Sequence, residues 1–120
     1  MKPFRALIVD DEWLIRSELK SMLRHYPDIH VVGEAANLTE ALHAAEAAQP
    51  DLIFLDIQMP GGTGFEVLEQ IANACKIIFV TAFPQHFARA KEYKAVDYLL
   101  KPISKERLES AIRKLQSSSP

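Results

Sequence analysis

The sequence predicts a doubly wound α/β sandwich, a five-stranded parallel sheet with helices on both faces. Two observations carry this. Four apolar runs, Ala6-Leu7-Ile8-Val9, Leu52-Ile53-Phe54-Leu55, Ile77-Ile78-Phe79-Val80 and Tyr98-Leu99-Leu100, lack the apolar/polar alternation of a half-solvated strand, as strands buried on both faces do. Helical stretches separate the runs, and right-handed crossovers wind such an alternation into a parallel sheet. A third observation bears on chemistry: each run leads directly into a polar signal, namely Asp10-Asp11, Asp56, Thr81 and Lys101-Pro102. Parallel strands point one way, so these groups collect at one edge of the sheet.

The elements follow in order. Strand 1 is expected at 5–9 and helix 1 at 12–25, with Leu14, Ile15, Leu19, Met22 and Leu23 as its apolar stripe. Pro27-Asp28 turns the chain into strand 2 at 29–34. Asn37 caps helix 2 with Glu40 in capping-box spacing, and the alanine-rich helix runs to about Gln49, where Pro50 breaks it. Strand 3 takes 51–55, and Met59 to Gly64 forms a turn-rich loop before helix 3 at 65–73. Strand 4 takes 76–80. Pro84 suits the first turn of helix 4, which ends near Lys94. Strand 5 takes 97–100, and Ser104 caps helix 5 with Leu108, Ala111, Ile112 and Leu115 on one face.

At 120 residues the chain forms one domain, and its composition, 48% hydrophobic and 25% charged, is that of a globular protein. A net charge of −2 supplies no basic field for nucleic acid. The single cysteine, Cys75, rules out an internal disulfide and fits a reducing compartment, where it reads as a small, partly buried side chain. No apolar stretch reaches the length of a membrane span, and the first residues lack a signal-peptide layout. A cytoplasmic location is expected. Gln116 to Pro120 reads as the start of a polar, Ser-rich linker.

Ligands of open α/β sheets bind beyond the carboxyl ends of the strands. Carboxylates crowded there repel and raise one another's pKa. A hard divalent cation relieves the conflict, and Mg²⁺ favours one or two protein carboxylates together with waters and phosphate oxygens. Asp56 stands alone after its strand, free to act as a nucleophile toward phosphorus. Lys101 brings a point charge and Thr81 a hydroxyl donor for phosphoryl oxygens, and phosphoryl transfer needs such positioning more than proton chemistry. Pro102 fixes how the chain leaves strand 5, and the bond before it can be cis at modest cost. Taken singly, Asp11 is as well read as a helix cap, Asp56 as a turn residue and Tyr98 as a packing aromatic. All four signals at one edge, in this order, carry the site.

The chain resembles the receiver domain of two-component response regulators. The matching residues are the acidic pair in Leu7-Ile8-Val9-Asp10-Asp11-Glu12, the acceptor in Leu55-Asp56-Ile57-Gln58-Met59-Pro60, Thr81-Ala82, and Tyr98-Leu99-Leu100-Lys101-Pro102. Phe79 to Phe83 and Ala95 to Pro102 most resemble LytTR/AlgR-type regulators, while Pro84, Phe87 and Lys91 depart from the usual pattern of their helix 4. The resemblance implies the flavodoxin-like (βα)5 fold with strand order 2-1-3-4-5, a receiver domain over 1–116, and at 117–120 a linker toward a C-terminal output domain absent from this sequence. It implies that Asp56 accepts a phosphoryl group from a sensor histidine kinase. Asp11 would ligate Mg²⁺ directly and Asp10 mainly through water, with Asp56 and the backbone carbonyl of Gln58 completing the set. Thr81 and Tyr98 would be the switch pair, Lys101 would bind a phosphoryl oxygen, and Phe83 would shield the phosphoryl group from water. The helix 4–strand 5–helix 5 face would carry the output, with homodimerisation on phosphorylation, transcription as the controlled process, and DNA contact only through the output domain.

Such a domain is a signalling switch, catalysing only its own phosphorylation and slow dephosphorylation. Two other readings stay open: a phosphorylation-independent pseudo-receiver, and a Mg²⁺-dependent hydrolase. The second lacks a carboxylate two residues after Asp56, where Gln58 stands. Gly61, Gly62 and Gly64 make no P-loop or dinucleotide fingerprint. His25, His30, His43 and His86 lack metal-ligand spacing and read as surface or packing residues. Trp13 lies near enough to the acidic pair for its fluorescence to report metal binding.

Overall fold

A computed structural model describes residues 3–71 and 75–117. The main sheet consists of β1 (Phe4–Val9), β2 (Ile29–Ala35), β3 (Leu52–Leu55), β4 (Lys76–Thr81) and β5 (Asp97–Leu100), in the order β2-β1-β3-β4-β5 and parallel throughout. The helices are α1 (Trp13–Leu23), α2 (Leu38–Ala48), α3 (Gly64–Gln70), α4 (Phe87–Lys91) and α5 (Lys105–Ser117). The doubly wound sandwich and its strand order agree with expectation. A two-residue antiparallel ribbon, Gln58–Met59 with Gly62–Thr63, lies between β3 and α3.

The period-2 geometry of a strand splits each apolar run between two cores. Ala6, Ile8, Leu52, Phe54, Ile78, Val80 and Leu99 face Leu19 and Leu23 of α1 and Leu108, Ala111, Ile112 and Leu115 of α5. Leu7, Val9, Ile53, Leu55, Ile77, Phe79 and Tyr98 face Ala41 and Ala45 of α2, Phe65 and Val67 of α3, and Ala90 of α4. Both faces are therefore covered, which is why the runs are continuously apolar. The registers set Val9 level with Leu55 and Thr81 level with Leu100, and because Leu55 pairs with Phe79, β4 and β5 end two residues beyond β1 and β3.

Local signals set the helix boundaries. Asn37 Oδ1 accepts from the Glu40 amide at 2.9 Å, and Glu40 Oε1 accepts from the Ala36 amide at 2.9 Å. Gln49 closes α2 in the left-handed region at φ 49°. Ser104 Oγ accepts from the Arg107 amide at 3.1 Å. The Lys101–Pro102 peptide is cis.

Four helices differ from expectation. Helix α1 is shorter than 12–25, because Pro27 follows closely and the Tyr26 amide bonds Leu23 O at 2.9 Å in a tighter turn. Leu14 is 54% exposed and falls outside the stripe: at 100° per residue it lies about 140° from Leu19, whereas Ile15 lies about 40° away. Helix α3 begins one residue early, since Thr63 and Glu66 form a reciprocal capping box with 3.2 and 3.0 Å bonds. Its expected last residues, 72 and 73, lie outside the described residues. The expected helix over 84–94 is a 3₁₀ turn at Pro84–His86, the five-residue α4, and i→i+3 turns ending at Lys94 with φ 55°. The proline-fixed first turn and the left-handed Lys94 leave little true α-helix between them. Helix α5 runs through Ser117, into the stretch read as tail. Among the described residues no helix is long and apolar enough to cross a membrane.

Gly64 sits under the end of β3. Its amide donates to Ile57 O at 2.8 Å, and a Cβ there would run into the Asp56 carbonyl oxygen. Backbone cannot yield as a flexible side chain can, so Gly64→Ala should cost about 1–3 kcal/mol in urea unfolding. An unchanged midpoint would contradict this close approach.

Candidate functional site

Strands β1 and β3 end side by side, so the residues after them meet. The Asp10 amide bonds Ala35 O at 3.0 Å and the Asp56 amide bonds Val9 O at 2.9 Å, carrying the sheet ladder one residue past each strand. Both carboxylates are buried, at 2% and 3% exposure, while Asp11 is exposed. Asp10, Asp11 and Asp56 each offer an oxygen within 4.8 Å of the other two. Asp11 does not cap α1: Glu12 occupies the N-cap without a side-chain bond, and Asp10 Oδ1 accepts from the Glu12 amide at 2.9 Å.

Lys101 enters from the far side of the sheet. Its amide donates to Thr81 O at 2.9 Å, fixing the end of β5 to the end of β4. Its Nζ lies 2.8 Å from Asp10 Oδ2, 3.1 Å from Glu12 Oε1 and 3.3 Å from Asp56 Oδ2. Burial holds the Asp10 carboxyl above the usual range, partly offset by Lys101 and the Glu12 amide. Burial, followed by the charge of Asp10, pushes Asp56 up to about 6 against the pull of Lys101. Burial also works against the Lys101 ammonium, but Asp10, Asp56 and Glu12 outweigh it and raise its pKa. The lysine stays charged.

Thr81 is fully buried, and its Oγ1 has no hydrogen-bond partner among the described residues. A buried hydroxyl without a partner is costly and uncommon. The site thus pairs an all-oxygen, anionic donor set, suited to a hard cation, with an ammonium and a free hydroxyl suited to an anion. Magnesium fits the residues present.

The remaining expected residues surround this core. Tyr98 is 7% exposed, and its hydroxyl donates to the Phe83 carbonyl just past Thr81. Burial and then the Asp56 charge raise its pKa, keeping it a donor. Phe83 is partly exposed at 37%. Gln58 opens the two-residue ribbon opposite Thr63, and its side-chain amide lies 3.1 Å from His86 Nε2. His86 also packs edge-on against Phe65 and Phe83, as a packing residue would, and His25, His30 and His43 stand exposed on the surface. Trp13, adjoining the acidic turn, is 69% exposed. Two contributors were missed in the sequence. Glu12, directly after the acidic pair, reaches Lys101; Arg16 donates to the Asp10 carbonyl at 2.6 Å. Adjacency was a usable signal for Glu12, but nothing in the sequence pointed to Arg16.

Comparison with known proteins agrees with this geometry. The family described as response regulator receiver domain matches residues 6–113. The chain is 44% identical over 114 residues to the transcriptional regulatory protein BtsR of Salmonella typhi, covering 93% of this chain and 48% of that protein. It is 39% identical over 113 residues to the sensory transduction protein LytT of Bacillus cereus, covering 92% and 46%. The chain therefore spans about half the length of these curated relatives. The response regulator domain of Thermotoga maritima CheB superposes with a TM-score of 0.85 at 31% identity, covering 99% of this chain and 100% of that one. The sheet order, the acidic cluster at its edge and these matches lead to one conclusion: the chain belongs to the response regulator receiver domains, with LytTR-type regulators among its relatives.

Proposed function

We propose that this receiver domain takes a phosphoryl group onto Asp56 from a histidine kinase, with Mg²⁺ bound at Asp10, Asp11, Asp56 and the Gln58 carbonyl. The observation that carries this reading is the buried Asp56 carboxylate, held between Lys101 and the other acids, with the partnerless Thr81 hydroxyl at the end of neighbouring β4. An Asp56 oxygen attacks phosphorus, the new P–O bond forming as the P–N bond of the phosphohistidine breaks and its electron pair returns to the imidazole. A Mg²⁺ ion held by these residues would supply positive charge to offset the negative charge developing in the transfer. Lys101 is already within reach of Asp56 and takes one phosphoryl oxygen, while Thr81 Oγ1 gains its missing partner in another. Exposed Trp13 and Leu14 at the start of α1 and Leu100 before Lys101 offer the kinase an apolar rim at this edge.

The bond between Tyr98 and Phe83 links β5 to the segment after Thr81. Movement of Thr81 toward the phosphoryl group therefore disturbs Tyr98 and the α4–β5–α5 face, where Phe87 lies exposed against the Tyr98 ring. That face serves as the output and homodimer surface. Phe83 shields the phosphoryl group from water. The names of the relatives support transcription as the controlled process, with DNA contact left to an output domain and the protein acting in the cytoplasm.

Incubation with Mg²⁺ and acetyl phosphate should add one phosphate by intact mass, and Asp56→Asn should abolish it; a wild-type protein that several phosphodonors leave unmodified would overturn the assignment. A second expectation concerns pH. The folded-state pKa of Asp56, about 6, lies above its ordinary 3.8, so ionising it destabilises the fold. The penalty is absent below about pH 4 and complete above about pH 6, at most about 3 kcal/mol at roughly 1.4 kcal/mol per unit. In EDTA, Asp56→Asn should therefore be more stable than wild type at pH 8, with the gap closing as pH falls through 6 toward 4. A gap that does not change with pH would contradict a strained, ionised Asp56.

A further inference from the structure

We propose that Arg16 is a positioning residue for the metal-binding turn, its guanidinium fixing the peptide plane between Asp10 and Asp11 and so the placement of their carboxylates. The proposal rests on the Mg²⁺ reading above. Arg16 lies on α1, one turn past the acidic pair, with its side chain only 17% exposed. One terminal nitrogen donates to the Asp10 carbonyl at 2.6 Å. Its Nε donates to Glu34 Oε1 at 3.0 Å, and Lys20 Nζ donates to Glu34 Oε2 at 2.6 Å. Lys20 above all, helped by Arg16, holds the Glu34 carboxyl below the usual range against the penalty of burial, so the bridge is ionic.

The geometry explains why this carbonyl needs an anchor. The Asp10 amide is tied to Ala35 and the Asp10 side chain to the Glu12 amide and Lys101. The Asp10 carbonyl lies past the end of β1, in the peptide that joins the buried carboxylate to the exposed one. Its orientation determines where Asp11 leaves the turn, and Arg16 holds it. Glu34 sits at the end of the adjacent strand, in register with Ile8, and orients the guanidinium from β2. The planar fork of arginine bridges carbonyl and carboxylate at once. Glu34 also offsets a positive charge that would otherwise repel a cation nearby.

Charge and positioning make opposite forecasts here. Deleting a cation close to an anionic metal site should, by Coulomb's law alone, tighten Mg²⁺ binding. Deleting a positioning group should weaken it, as loss of outer-shell support commonly does by about 10–100-fold. Calorimetric titration of the folded protein with MgCl₂ should give a dissociation constant at least about tenfold weaker for Arg16→Ala than for wild type. Glu34→Gln should be weakened less, and Lys20→Ala, which touches Glu34 but not the turn, should stay within about twofold. Acetyl phosphate labelling of Arg16→Ala should recover toward the wild-type rate at saturating Mg²⁺. If Arg16→Ala does not fold, as judged by circular dichroism, Arg16→Gln provides the comparison. Unchanged or tighter Mg²⁺ binding in a folded Arg16 variant overturns the proposal, even if its melting temperature falls. Absence of Mg²⁺ binding by wild type overturns instead the metal reading on which it stands.

Discussion

Two carboxylates, Asp10 and Asp56, are buried at neighbouring strand ends, and one ammonium, that of Lys101, lies within 2.8 and 3.3 Å of them. Burying one charge in this way is expensive, and burying two of the same sign is worse. Lys101 reduces the cost without removing it, since the carboxyls of both aspartates stay above their usual range. The edge is therefore stable enough to fold and still short of positive charge. That remaining imbalance is one that a hard divalent cation would relieve.

The fold supplies this arrangement through register. Asp10 and Asp56 follow paired residues, Val9 and Leu55, and Lys101 follows Leu100, which pairs with Thr81. A slip of one residue in any of these pairs would turn the core side chains to the wrong face and carry the polar groups with them. The two apolar cores thus hold the chemistry in place. Gly64 adds a local constraint from below, because α3 can start so close to Asp56 only where no side chain intervenes.

The strands and their polar ends were legible in the sequence because continuous apolar runs such as Leu52–Leu55 leave few other options. The caps at Asn37 and Ser104 were legible for the same reason: a short side chain at a fixed offset has one strong local use. The Thr63 capping box was equally present in the sequence, but three nearby glycines drew that segment toward a loop reading. Leu14 was misplaced because hydrophobicity alone does not say which apolar residues of a helix reach the core. Helix α4 depends on competing backbone effects at Pro84 and Lys94 that composition does not resolve. The contact of Arg16 with the Asp10 carbonyl joins a side chain to a backbone atom whose direction only the folded turn defines.

The edge holding Asp10, Asp11 and Asp56 carries an excess of negative charge, and on the reading proposed above a divalent cation stabilises it. Thermal unfolding at pH 7 with increasing MgCl₂, at ionic strength held constant with NaCl, tests it directly. The Tm should climb with Mg²⁺, by the equivalent of about 2.7 kcal/mol at a hundred times the dissociation constant, and stay largely flat in Asp11→Asn. A wild-type Tm indifferent to Mg²⁺ would contradict it.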